Sequence, residues 1–274
     1  MIIKTLVEDT SNSTDFTNEH GLSLYIETIG HKILFDLGAS DLFLENAKKM
    51  NVSIEDVDLV IISHGHYDHG GGLKGFLETN YKAKVYINKK AFGNHFTIKP
   101  NKNKIDIGID QSLKWNDRII FTEDYLYIDK ELELFSNIKG REFLSSCNNT
   151  LYRKDDEFIV ADNFEHEQNL LITDNDKTIL VAGCAHNGIV NIIKHISQMK
   201  GDFPNYVFGG FHLFNYRAGK SEDPMITSQI GEFLNKTRSK YYTGHCTGLD
   251  PFNQLKIVME DNIQYLSTGS VVDI

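Results

Sequence analysis

Cysteine, proline and basic charge are all scarce in this 274-residue chain, which has three Cys, four Pro, and 28 Lys and Arg against 38 Asp and Glu. Cys147, Cys184 and Cys246 form an odd, sparse set that fits a reducing compartment better than a disulfide framework. So few prolines argue against a fibrous or low-complexity chain. A formal charge of −10 argues against a nucleic-acid backbone as the main partner, because binding phosphates along a strand needs a basic face. No apolar stretch approaches the length of a transmembrane helix. The start, Met1-Ile2-Ile3-Lys4-Thr5-Leu6-Val7-Glu8-Asp9, turns acidic too soon for a signal peptide. The expectation is a soluble, cytoplasmic protein with a small-molecule substrate and no nucleic-acid or membrane partner, association into a homo-oligomer being left open. With 41% hydrophobic and 24% charged residues, the composition is that of a globular domain able to bury a substantial core.

What the chain does have is histidine in an unusual arrangement. Residues 64–69 read His-Gly-His-Tyr-Asp-His, after the apolar run Val60-Ile61-Ile62 and before Gly70-Gly71-Gly72. In extended chain His64 and His66 point to one side and can reach one ion; after a turn, Asp68 and His69 can reach a second. Nitrogen and oxygen ligands suit Zn, Fe or Mn. Two divalent transition-metal ions about 3.5–4 Å apart polarise a substrate oxygen and generate hydroxide at neutral pH. Zinc is the first expectation, with iron or manganese as alternatives.

The periodicity predicts strands at Ile2–Val7, Leu22–Thr28, Ile33–Asp36 and Leu59–Ile62, with a helix from Ser40 as N-cap through Met50. A short helix over Leu73–Glu78 and a strand over Lys84–Ile87 follow. Residues 93–160 have weaker periodicity, with strand-like pieces at Ile119–Phe121 and Tyr125–Ile128, and read as a lid or substrate-facing insertion. A second series then alternates strand and helix: a hairpin of Leu170–Thr173 and Thr178–Ala182, a helix Ile189–Met199, a strand Tyr206–Phe208, a helix from Pro224, a strand Tyr241–Thr243, a helix near Phe252–Met259, and a last strand through Val271. Without a low-complexity linker, residues 1–274 read as one domain of two similar halves, two packed sheets with helices outside.

Three times in the second half an apolar strand ends in glycine followed by histidine: Gly183-Cys184-Ala185-His186, Gly209-Gly210-Phe211-His212 and Gly244-His245. Histidines at equivalent strand ends converge on one edge, where sites are built, so His186 and His245 are candidate ligands. His212 reads as a ligand or as a residue facing the substrate, and Cys184 as a ligand thiolate or a buried small side chain. Asp36, at a strand end, is a candidate acceptor that orients a metal-bound imidazole, or a simple turn aspartate. His20, His31, His95, His166 and His195 lack the strand-then-glycine context; His166 stays open as a lid-borne ligand.

Together these segments resemble the metallo-β-lactamase superfamily along nearly the whole chain: Leu34-Phe35-Asp36-Leu37-Gly38, the Ser63–Gly72 loop and the later glycine-histidine strand ends. Glu19-His20-Gly21-Leu22-Ser23-Leu24, Gly183-Cys184-Ala185-His186-Asn187-Gly188-Ile189 and His245-Cys246-Thr247-Gly248 are similar to the branch that holds the archaeal dihydropterin–ribofuranosylaminobenzene-phosphate synthase. The resemblance implies an αββα sandwich with a dinuclear site at one sheet edge. It also implies that His64, His66 and His186 hold one metal and Asp68, His69 and His245 the other. Where many superfamily hydrolases carry a bridging aspartate this chain has Cys184. The implied activity is hydrolysis of a small ester, lactone or phosphate-bearing substrate by a metal-activated hydroxide, with Asp68 orienting it and His212 as a catalytic candidate that, with the N-terminus of the helix after Asn187, is also a candidate holder of substrate charge. Transfer with a metal-stabilised pyrophosphate leaving group is the alternative, and a metal-binding sensor without turnover is a third.

Overall fold

The protein is described by a computed structural model covering residues 1–98 and 103–274. Two seven-stranded sheets face each other. The first runs in the spatial order Val271–Asp273, Ile2–Val7, Ser23–Glu27, Lys32–Phe35, Leu59–Ile62, Lys84–Asn88, Ile119–Thr122; the second Ile263–Tyr265, Lys240–Thr243, Tyr206–Phe208, Lys177–Val181, Asn169–Asp174, Leu132–Phe135, Tyr125–Tyr127. Alternation along the strands builds the layers. Ile33, Phe35, Leu59 and Ile61 point inward to meet Leu170, Ile172, Ile179 and Val181 of the other sheet. Their neighbours Leu34, Val60 and Ile62 point outward, into the same apolar cluster as Phe43, Ala47, Leu73 and Phe76 of the helices Leu42–Lys49 and Leu73–Thr79. Leu171, Leu180 and Val207 do the same with Ile193, Ile230, Leu234 and Leu255 of the helices Ile189–Lys200, Pro224–Lys236 and Leu249–Met259. The result is the expected four-layer αββα sandwich, in which the central strands bury both faces.

Within each sheet four consecutive strands are parallel, and their register aligns their ends. Phe35 pairs with Ile61 in the first sheet; Val181 pairs with Phe208, and Phe208 with Tyr242, in the second. The residues just past these ends, including Asp36, Ser63-His64, Cys184, His212 and His245, therefore emerge along one edge, where α/β sheets place their sites. Several of these ends turn sharply: Asp36, Ala185, His212 and His245 all have positive φ, between 49° and 60°. Left-handed non-glycine residues are costly, and they gather where a site must hold a backbone in place.

The stretch 93–160 differs from the single insertion expected. Ile119–Thr122, Tyr125–Tyr127 and Leu132–Phe135 extend the edges of the two main sheets. What stands apart is a four-stranded sheet of Phe158–Ala161, Leu151–Asp155, His95–Ile98 and Lys104–Asp106. Edge strands bury one face weakly, so their apolar pattern is faint and reads as a loop. Residues 99–102 of that stretch lie outside the described residues. Helix starts also shift slightly. Ser40 Oγ accepts from Leu42 N at 3.2 Å, but the helix begins at Leu42 and Asp41 takes the cap position.

Candidate metal centre

The loop after Leu59–Ile62 delivers its side chains to two adjacent groups. In the first, His66 Nδ1 and His186 Nε2 lie 3.0 and 3.3 Å from His64 Nε2. In the second, His69 Nε2 lies 3.2 Å from His245 Nε2 and 3.1 Å from Cys184 Sγ. Asp68 Oδ2 completes it, 3.4 Å from His245 Nε2 and 3.7 Å from His69 Nε2. Ligand bonds of 2.0–2.1 Å in a tetrahedral shell place neighbouring nitrogens roughly 3.4 Å apart, so both groups have the spacing of a coordination shell. Cys184 also falls in one group with His64 and His69, which puts its sulfur between the two. This is the place where the sequence resemblance expected a bridging ligand.

Burial tunes the donors. It pushes His64, His66 and His186 well below the ordinary imidazole range, leaving neutral rings with a free lone pair. Burial acts the same way on His69 and His245, but carboxylates overcome it. Asp36 and Asp68 raise His69, while Asp9 and Asp68 raise His245. Burial alone would raise Asp68, yet the His69, His245 and His20 imidazoles hold its carboxyl well below the usual range.

The outward ring nitrogens are held by oxygen. Asp36 Oδ2 lies 2.6 Å from His69 Nδ1 and accepts from Ser63 Oγ at 2.7 Å, while Oδ1 accepts from Ser63 N at 2.7 Å. Ser63 Oγ in turn meets His64 Nδ1 at 2.8 Å. One buried aspartate thus reaches both groups, directly at His69 and through Ser63 at His64. Asp9 Oδ1 lies 2.6 Å from His245 Nδ1, and Asn148 Oδ1 3.0 Å from His186 Nδ1. Gly183 is required here: a Cβ would come within 2.2 Å of Ser63 Oγ.

All the ligand candidates from the sequence are therefore brought together: His64, His66, Asp68, His69, Cys184, His186 and His245. His212 lies beside them, its ring centroid 4.2 Å from that of His186, with both ring nitrogens buried and, among the described residues, without a hydrogen-bond partner. The cleft above is lined by His20, Tyr67, Asp68, His212, Tyr216 and Arg217, among others. The helix after Asn187 does not reach it as expected, since none of residues 187–190 lines the cleft. Glu167 instead accepts from His186 N and Asn187 N. His166, left open as a ligand, has its ring centroid 6.0 Å from that of His64 and its Nδ1 accepting from Gly65 N.

His20 and Asp9 were missed as site residues. His20 Nε2 lies 3.4 Å from Asp68 Oδ2, its Nδ1 lies 2.8 Å from Asp9 Oδ2, and its ring stacks on Tyr216. The Glu19–Leu24 segment had been singled out, but only as a family feature. Asp9 lies two residues past the first strand, and nothing in its neighbours marks it.

The metallo-beta-lactamase superfamily model matches residues 17–133, and the chain belongs to that superfamily. It is 29% identical to the 7,8-dihydropterin-6-methyl-4-(beta-D-ribofuranosyl)-aminobenzene-5'-phosphate synthase of Methanocaldococcus jannaschii, over 98% of this chain and 95% of that protein. An uncharacterized protein of the same organism, MJ0448, is 31% identical over the full length of both. Among solved structures, Tm1679, described as a metal-dependent hydrolase of the beta-lactamase superfamily, superposes with a TM-score of 0.83 at 28% identity, over 100% of this chain and 99% of that one. Among the described residues no helix is long and apolar enough to cross a membrane.

Proposed function

We propose that the protein is a metal-dependent hydrolase of a small substrate carrying an ester, lactone or phosphate group. The observation that carries this reading is the meeting of two ligand groups, one of three neutral imidazoles and one of Asp68, His69, His245 and Cys184, at the floor of a cleft. The donor set fits two divalent ions, zinc first and iron or manganese next, because it mixes imidazole and carboxylate with the buried thiol of Cys184, beside which Cys246 also lies. When bound, such ions supply electrophilic stabilisation of a developing oxyanion and a nucleophile at neutral pH.

The remaining chemistry belongs to the chain. Asp68, held ionised, is both a ligand and an acceptor that orients a proton-bearing nucleophile. His212 offers two ring nitrogens that no described residue hydrogen-bonds, beside His186, suited to protonating a leaving group or donating to a substrate oxygen. Arg217 stands at the rim with its guanidinium 5.7 Å from the centre of the Tyr67 ring, a position suited to a substrate anion. Apolar lining from Ile107, Leu151 and Phe214 limits water around the reacting group.

Transfer with a pyrophosphate leaving group is the second reading, favoured by the 29% identity to a synthase, since both reactions need the same electrophilic floor. Elemental analysis of purified protein combined with a panel of phosphodiesters, phosphomonoesters and lactones tests the proposal. Turnover that requires metal and is abolished in Asp68→Ala supports it. Metal-loaded protein inert on every ester but active when an acceptor accompanies a pyrophosphate donor shifts the assignment to transfer. Tight metal binding with no turnover of either kind makes the protein a sensor.

A further inference from the structure

Four of the five ligating imidazoles have an oxygen on the ring nitrogen that faces away from the metal position: Ser63 Oγ on His64, Asp36 on His69, Asn148 on His186 and Asp9 on His245. His66 is built differently. Its inward nitrogen is Nδ1, and its outward Nε2 is buried with no partner among the described residues. Beyond it stands His95, whose ring meets that of His66 edge-on at 5.7 Å and whose own Nε2 is also buried and unpartnered. His95 packs against the backbone between the two motif histidines: a Cβ on Gly65 would lie 2.7 Å from its Nε2.

The hydrogen bonds around this pair fix its protons. His166 Nδ1 accepts from Gly65 N at 3.0 Å, so its hydrogen is on Nε2, 3.2 Å from Asp162 Oδ2. The same oxygen lies 3.0 Å from His95 Nδ1, and Asp162 Oδ1 accepts from Phe164 N at 2.9 Å. Acting only as an acceptor, the Asp162 carboxylate requires the hydrogen of His95 on Nδ1 and leaves a lone pair on Nε2. His66, giving its Nδ1 lone pair to metal, must carry its hydrogen on Nε2. One orphan is a donor and the other an acceptor, on rings whose centroids are 5.7 Å apart and which belong to one cluster with Asp162 and His166.

We infer that His95, locked by Asp162, is the positioning residue of the metal ligand His66, accepting its Nε2 hydrogen across one bridging water. This rests on the metal reading given above. The alternative, a further ion within the His66, His95, Asp162 and His166 cluster, is disfavoured because both nitrogens of His166 and both oxygens of Asp162 are already engaged. An imidazole can serve where the others use oxygen only because a second-layer carboxylate dictates its tautomer.

Amide substitutions separate the roles of the two nitrogens. His95→Gln keeps an acceptor near the position of Nε2, whereas His95→Asn keeps only the group facing Asp162. Asp162→Asn frees His95 to turn its hydrogen toward His66. Zinc affinity is read by competition with a chromophoric chelator on the metal-stripped full chain, and the binding step lost in His64→Ala marks the His64–His66–His186 position. Outer partners of ligating histidines are worth about 10–100-fold in affinity. His95→Asn and Asp162→Asn are expected to weaken that step by this factor and leave the other step unchanged, while His95→Gln stays close to the parent. Equal weakening of both steps, or no weakening in the two Asn variants, overturns the inference. A third zinc equivalent in the parent that is lost in His95→Asn overturns it in favour of a metal site. If the parent binds no zinc at the step assigned by His64→Ala, it is the metal reading itself that fails.

Discussion

Asp36→Asn is the most discriminating single change at this site, because the carboxylate accepts three hydrogen bonds and the amide cannot. Asp36 takes Ser63 N on one oxygen, and Ser63 Oγ and His69 Nδ1 on the other, at 2.6–2.7 Å, in a fully buried position. If the amide carbonyl replaces Oδ2, the NH2 group confronts Ser63 N–H; if it replaces Oδ1, the NH2 group confronts His69 Nδ1–H. Either way one buried donor loses its acceptor, at a cost of about 1–3 kcal/mol, and the surviving bonds lose their charge assistance. The backbone is not a confounding factor, since Asn tolerates the φ of 60° found here. The expected result is a metal-free protein destabilised by about 1–3 kcal/mol in urea unfolding, and metal affinity lowered about 10–100-fold, most strongly at the position that includes His69. Both are measured at pH 8, where protons compete little. An unchanged unfolding midpoint together with affinity within about twofold of the parent would refute the view that this aspartate organises the centre.

Other outcomes follow from the same geometry. Because His69 and His245 are raised above the usual imidazole value while His64, His66 and His186 lie below it, metal entering the first pair must displace protons and metal entering the trio need not. Lowering the pH from about 8 to 6 should therefore weaken the Asp68–His69–His245 position by up to about tenfold per pH unit for each proton displaced, leaving the other nearly constant; chelator competition showing equal pH slopes would contradict this. His212→Asn, which keeps the left-handed backbone, should retain both metal equivalents and lose about 10²–10⁴-fold in kcat; loss of one equivalent would make His212 a ligand. Cys184→Ser should lower affinity at the Asp68–His69–His245 position and shift the thiolate absorption of a cobalt-loaded sample; identical spectra would return Cys184 to a packing role.

The sequence by itself determined the class of site and much of the frame. Three imidazoles and a carboxylate within residues 64–69, after a strand of four buried residues, have few uses other than metal binding. Alternation on strands and 3.6-residue spacing on helices are local properties, so Ile2–Val7, Leu59–Ile62 and Ile189–Lys200 could be read directly. The strand-glycine-histidine pattern also found His186 and His245, because parallel strands in register bring equivalent ends to one edge. Tertiary structure alone decided which residues support the ligands. Asp9 is 236 residues from His245, Asn148 is 38 from His186, and Asp162 is 67 from His95; no local period records a contact between separate chain segments. The small sheet of His95–Ile98, Lys104–Asp106, Leu151–Asp155 and Phe158–Ala161 escaped notice for a related reason. Its two middle strands, His95–Ile98 and Leu151–Asp155, pair residues 54–58 positions apart, and no local period records such a pairing. His95 lies in that sheet, which is why a histidine without any motif ends up against His66, whose outward Nε2 has no partner among the described residues.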